Sequence, residues 1–141
     1  MMERRRARQI ALQLLYQMEV RGMGVDEVLT TRQQIHRQPL SDFAFRLVKG
    51  VERRREEIDR LIIDYSEHWE IDRMPIVDRN IVRICLYEML EEEEIPFSVS
   101  INEAVELAKT YGGEDSGKFV NGLVARIAQQ LRTLRKERER R

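Results

Sequence analysis

The stretch from Gly112 to Gly122 is where this chain comes nearest to a chemical motif. Gly112-Gly113-Glu114-Asp115-Ser116-Gly117-Lys118 has the G-x-x-x-x-G-K spacing of a phosphate-binding loop. Such a loop needs Ser or Thr next, to hold Mg²⁺, and a strand in front of it. Phe119 follows instead, and the preceding run from Ile101 to Tyr111 has helical spacing. Nucleotide binding is therefore not expected, and the segment reads as a turn between two helices.

No other residue set suggests catalysis. His36 and His68 are far apart and neither sits in a ligand pattern such as H-E-x-x-H. There is no G-x-S-x-G elbow and no dinucleotide fingerprint. Cys85 is the single cysteine, in the apolar run from Ile81 to Leu90, and reads as a small buried residue rather than a nucleophile. The acidic residues lie in charge-rich helical runs, the pattern of a solvated face. No enzyme, no metal and no cofactor are expected.

The stronger candidate is a binding surface on the first helix. At about 100° per residue, Arg5, Arg8, Gln9, Leu12 and Tyr16 fall on one stripe. Ala7, Ile10, Ala11, Leu14, Leu15 and Met18 form the core face. The stripe with the arginines is expected outside. Arginines that hold phosphates, in line with an aromatic ring that packs a base or a partner, suit RNA or protein binding.

Composition sets the bounds. The 141 residues make one domain, with 25 basic and 25 acidic side chains and no net charge. Zero net charge argues against polyanion binding by the whole surface but allows a local basic patch. Of the 25 basic residues 21 are Arg, the better fork for phosphate. Four of them crowd residues 4–8, and a basic tail at about 132–141 reads as a frayed helix end. Glu91 to Glu94 is a local acidic run, expected on a side distal to any RNA. No apolar stretch approaches 18 residues, so no membrane span and a cytoplasmic location are expected.

The elements that must position these residues are helices. Helices are expected over about Arg4 to Val20, ended by Gly22 and Gly24, and over about Val25 to Ile35. Ser41 is a candidate N-cap for a stripe running to about Ser66, with a break near Gly50 or within Glu52 to Glu57. Trp69 and Ile71 fall in a linker ending at Pro75. Ile76 to Leu90 is apolar on most sides and reads as the central buried helix. Ser100 to Glu103 has the form of a capping box. Gly112 ends that helix, and the last begins near Asp115 or Ser116. The count is six or seven helices with short connections, an all-α architecture.

Several blocks resemble the bacterial antitermination factor NusB family. They are Arg4 to Arg8 with Ala11-Leu12-Gln13-Leu14-Leu15-Tyr16; Val77 to Ile84 with Tyr87-Glu88-Met89-Leu90; Ile95-Pro96 with Ile101 to Lys109; and Tyr111-Gly112 with Ser116 to Gly122. They stand in family order and span nearly the whole chain. The resemblance implies two packed three-helix bundles in a single RNA-binding domain, residues 1–141. It implies binding of boxA RNA in ribosomal RNA leader transcripts together with the ribosomal protein NusE. The pair then joins RNA polymerase and other Nus factors to suppress premature termination. It maps the family's arginine-rich motif onto Arg4, Arg5, Arg6 and Arg8, and its RNA- and partner-side positions onto Tyr16, Asp78, Asp115 and Phe119. With the outer stripe of the first helix, the expected RNA-facing set is Arg4, Arg5, Arg6, Arg8, Gln9, Tyr16, Lys118 and Phe119, and the expected partner-facing set is Leu12, Tyr16, Asp78 and Asp115. The resemblance further implies that Asp115 caps the last helix and that Phe119 projects from its first turn. One departure is Leu123-Val124-Ala125, where the family usually has V-L-D.

Two alternatives stay open. A similar helical domain precedes some ribosomal RNA cytosine methyltransferases, but the chain to Arg141 has no glycine-rich cofactor segment and no catalytic cysteine pair. A protein-only helical adaptor would have no affinity for RNA. A homodimer that masks the arginine-rich helix is also open.

Overall fold

Helical apolar spacing, with three prolines, produces an all-α chain. The computed structural model describes residues 2–67 and 70–140, and His68 and Trp69 lie outside the described residues. It contains α1 (Met2–Arg21), α2 (Val25–Ile35), α3 (Asp42–Arg53), α4 (Arg55–Tyr65), α5 (Ile76–Glu91), α6 (Phe97–Tyr111) and α7 (Ser116–Glu139), with a short 3-10 turn at Ile71–Arg73. No strand occurs among the described residues.

The helices form two groups that share α5. α1 packs on α2, α3 and α5, while α5 also packs on α4, α6 and α7. The composition of α5 explains its place. Eleven of its residues, from Asp78 to Met89, are buried. A helix that is apolar nearly all round needs neighbours on every side.

Local chemistry sets most of the ends. Gly22 takes φ +64, the left-handed conformation that terminates α1. The Ser41 hydroxyl accepts from the Ala44 N–H at 3.2 Å and caps α3, as expected. The expected break in the long stripe comes at Arg54, between α3 and α4. Gly50 lies inside α3, where a Cβ would overlap the buried Tyr87 ring. Glycine there lets α3 and α5 approach.

Two expectations change. α6 starts at Phe97, behind Pro96, so Ser100 and Glu103 are not a capping box. The tail is not frayed: α7 continues as helix to Glu139. Arg132 and Arg135 lie over the Phe97 ring at 5.3 and 5.0 Å. No described helix is long and apolar enough to cross a membrane.

A polar network crosses the seam between the two groups. Glu19 of α1 accepts hydrogen bonds from Arg79, Arg83 and Asn80 of α5. Arg83 also donates to Asp59 of α4 at 2.8 and 3.1 Å. Burial works against ionisation of Glu19, but the Arg79 and Arg83 guanidiniums outweigh it and hold the carboxyl below its ordinary range. Glu92 is lowered too, its burial outweighed by Arg46 and Tyr87. The Glu103 carboxyl is lowered mainly by its bond to Arg5.

These carboxyls bind protons less readily folded than unfolded. Their contribution is therefore complete above the ordinary Glu pKa of about 4.3 and is lost as pH falls through their folded values. The urea midpoint of the protein should hold steady from neutral pH down to about 5 and fall steeply below about 4. Glu19→Gln should lower the midpoint at neutral pH and flatten the acid decline. An unchanged decline in that variant would place the acid sensitivity elsewhere.

Candidate nucleic-acid and partner interface

The arginine run at the start of α1 divides by environment. Arg4, Arg5 and Arg6 are exposed, whereas Arg8 is 3% exposed. Arg8 donates from Nε and Nη2 to the two Glu88 carboxylate oxygens at 2.8 and 2.7 Å, a bidentate pair. Glu88 is 1% exposed. The Ser100 hydroxyl donates to the same carboxylate at 2.9 Å, and Glu103 accepts from Arg8 at 3.4 Å. Burial disfavours the Arg8 charge, but Glu88 and Glu103 raise its pKa on balance.

This corrects the reading of the outer stripe. Arg8 and Leu12 are buried and Gln9 is half-buried; Arg5 and Tyr16 are exposed. The reason is that α1 is covered by α3 on one side and α5 on another, so its buried arc is wider than a single apolar stripe. Arg8 is thus an internal cation, and Leu12 belongs to the core. The signal for this was in α5. Glu88 stands in an apolar run, and a buried carboxylate requires a cationic partner.

The exposed arginines are also engaged. Arg5 forms a bidentate pair with Glu103 at 3.1 and 2.8 Å. Arg4 lies 3.5 Å from Glu94. The acidic run is therefore beside the start of α1, not distal to it. Arg46 pairs with Glu92, and Arg53 and Arg54 with Glu91. Arg6 makes only a 3.5 Å contact with Gln9 and no ion pair among the described residues.

A second feature lies where the N-termini of α5 and α7 meet. An open, mainly apolar groove is lined by Met74, Pro75, Asp78, Asp115, Ser116 and Phe119. Asp78 is 5% exposed. One of its oxygens accepts from the Ser116 hydroxyl at 3.0 Å. Its other oxygen is buried without a hydrogen-bond partner among the described residues. The Ser116 hydroxyl accepts in turn from the Gly113 N–H at 2.8 Å, which holds the turn that has phosphate-loop spacing. Asp115 stands at the N-cap position of α7 without a side-chain capping bond, so the expected cap is not formed. Phe119 is half-buried against the core in the first turn of α7, and Lys118 is exposed. Asp78 thus shares one groove with Asp115 and Phe119, which are remote from it in sequence, while Arg4 and Arg5 lie on a separate, polar surface. Among the described residues no group of His, Cys, Asp and Glu could hold a metal ion. The Cys85 thiol is buried, and burial pushes its pKa up.

The family model described as NusB family matches residues 5–129. The transcription antitermination protein NusB of Pelotomaculum thermopropionicum is 47% identical over 130 residues, covering 91% of this chain and 90% of that protein. A solved structure of T. maritima NusB superposes with a TM-score of 0.80 at 39% identity, covering 89% of this chain and 90% of that one. A crystal structure of the antitermination factors NusB and NusE in complex with dsRNA gives a TM-score of 0.79 at 31% identity, covering 92% of this chain and 98% of that one.

The two arginines of α1 separate structure from surface. Arg8→Ala leaves Glu88 buried without its partner and should cost about 3–5 kcal/mol in urea unfolding. Arg5→Ala removes an exposed guanidinium and leaves Glu103 its contact with Arg8, so it should cost less. Equal stability of the two variants would show that the buried pair contributes nothing.

Proposed function

Because the chain belongs to the NusB family, we propose that it binds the boxA element of ribosomal RNA leader transcripts together with NusE, and that the complex acts with RNA polymerase and other Nus factors to suppress premature termination. The observation that carries this reading is the shared groove of Asp78, Asp115 and Phe119. These are the positions that the family resemblance marks as facing RNA and partner. A buried carboxylate oxygen with a spare acceptor site, in an apolar setting, suits a hydrogen-bond donor on a protein partner. The relative solved with NusE and dsRNA supports the pairing of these two ligand classes.

The mechanism is one of assembly rather than catalysis. Arg4, Arg5 and Arg6 supply charge to the RNA backbone. The Arg4 pair is exposed on both sides, so phosphate oxygens can replace Glu94 at small cost; Arg5 is itself exposed, and the mostly buried Glu103 keeps Arg8 as a partner when phosphate takes Arg5. Arg8 leaves the set of phosphate contacts and acts by fixing the α1 face. Tyr16, exposed on α1, and Phe119 offer rings for unpaired bases or for NusE, with Gln9 and Lys118 alongside as polar contacts. Leu12 leaves the partner-facing set for the core, and Tyr16, Asp78 and Asp115 stay in it. NusE enlarges the RNA-binding surface, so affinity rises when it is present.

The test is binding of a short boxA RNA, with and without NusE, against a scrambled RNA of equal length. Preference for boxA that strengthens with NusE is the expected result. Equal binding of both RNAs with NusE present would overturn the assignment. Phe119→Ala and Asp78→Ala should each weaken the ternary complex by about tenfold or more, as interface anchors do. A large fall in melting temperature for Phe119→Ala would reassign that ring to the core.

A further inference from the structure

A third surface feature adjoins the arginine-rich start of α1, with which it shares Arg6, and shares no lining residue with the Asp78 groove. An open groove of about 830 Å³ runs between the first turns of α1 and the connection from α2 to α3. Arg6 lines it from α1, Arg32 from the last turn of α2, and His36 and Arg37 from the connection. The half-buried Ile10 contributes apolar surface, and Glu3 is the one carboxylate among the lining residues. Arg32 donates to the Gln38 carbonyl oxygen at 3.2 Å, which ties it to the wall of the groove.

The arginines of this groove differ in their ion pairing from their neighbours at the start of α1. Arg4, Arg5 and Arg8 each have a carboxylate, in Glu94, Glu103 and Glu88. Arg6, Arg32 and Arg37 form no ion pair among the described residues, whereas a protein of zero net charge has as many carboxylates as cations to pair. Three guanidiniums from three segments, against the single carboxylate of Glu3, form a local excess of positive charge that attracts a polyanion. Gln13, Gln38 and Ser41 add polar groups suited to sugar hydroxyls.

We propose that this groove is a second phosphate track, in which Arg6, Arg32 and Arg37 hold the backbone of a single-stranded RNA segment that flanks the specifically recognised element. The choice of RNA over an acidic peptide rests on the RNA-binding function proposed for the chain. It is supported by continuity, since Arg6 belongs to the same arginine run as Arg4 and Arg5. The groove carries no base-reading geometry, so it adds affinity without adding sequence preference.

The probe is a twelve-nucleotide oligouridine, bound by the full chain over a range of salt. Arg32→Ala with Arg37→Ala should weaken binding by about tenfold at low salt. The slope of log K against log salt should become shallower by about 1.4, at about 0.7 for each phosphate no longer neutralised. Arg37→Glu alone should also weaken binding. Arg37 is exposed on the connection between α2 and α3, so a folding defect would not account for its effect. Unchanged affinity and slope in both variants would overturn the proposal, as would failure of the parent protein to bind oligouridine. Competition by polyglutamate as effective as that by RNA would also overturn it and leave an acidic peptide as the occupant. The ratio of boxA to scrambled RNA affinity should be the same in the double variant and the parent. Loss of oligouridine binding in the variants, with no boxA preference in the parent, would refute the antitermination assignment while leaving the groove as an RNA track.

Discussion

The buried pair of Arg8 and Glu88 is the constraint on which the rest of the structure depends. It joins α1, the first helix of one group, to α5, which both groups share. Two ions removed from water are costly unless geometry and further hydrogen bonds repay the desolvation. Here the pair is bidentate, and Ser100 and Glu103 of α6 supply the extra bonds. A charge pair of this kind tolerates little rotation. An apolar seam could slide by part of a turn, but Arg8 must keep its fork on Glu88. The azimuth of α1 is thereby fixed, and with it the outward direction of Arg5 and Tyr16.

A second polar junction acts in the same sense toward the other end of α1. Glu19 of α1 meets Arg79 and Arg83 of α5, and Arg83 reaches Asp59 of α4. α1 is thus held to α5 by charge near both of its ends. The apolar core between them supplies most of the driving force, while the charges select one register. The position of the groove at Asp78 follows from the same α5, since Asp78 precedes Arg83 by little more than a turn and adjoins Arg79 in sequence.

Much of the fold was legible in the sequence because helix chemistry is local. The apolar run from Ile76 announced α5, and the Ser41 cap and Gly22 marked ends correctly. The failures share one cause. Ser100-x-x-Glu103 satisfies a local rule for a helix start, yet both side chains serve the Arg8 network, and α6 begins three residues earlier at Phe97. Arg8 has the local signature of a solvent-facing residue, because polarity normally goes with exposure. Only the pairing of Arg8 with Glu88, 80 positions away, reveals its burial. The candidate surface divides likewise. Family resemblance pointed to Asp78, Asp115 and Phe119, and folding brings them to one groove. Arg32 and Arg37 carry no motif, and their significance depends on which carboxylates the fold leaves out of reach.

The arginine-rich helix, in a chain without net charge, shows a graded commitment of otherwise identical side chains. Arg8 is withdrawn into the core, where exchange with phosphate would strand the Glu88 charge. Arg4 is loosely held by Glu94 at an exposed pair, and Arg5 more firmly by the bidentate Glu103; both contacts lower the surface field. Arg6 has no such counter-ion among the described residues. Neutral composition therefore conceals a local asymmetry, because acidic residues neutralise some arginines and not others. The fold sets that asymmetry through the positions of Glu88, Glu94 and Glu103 on α5, the following loop and α6. Moving any one of these carboxylates would change which arginines carry an unneutralised charge without altering the net charge.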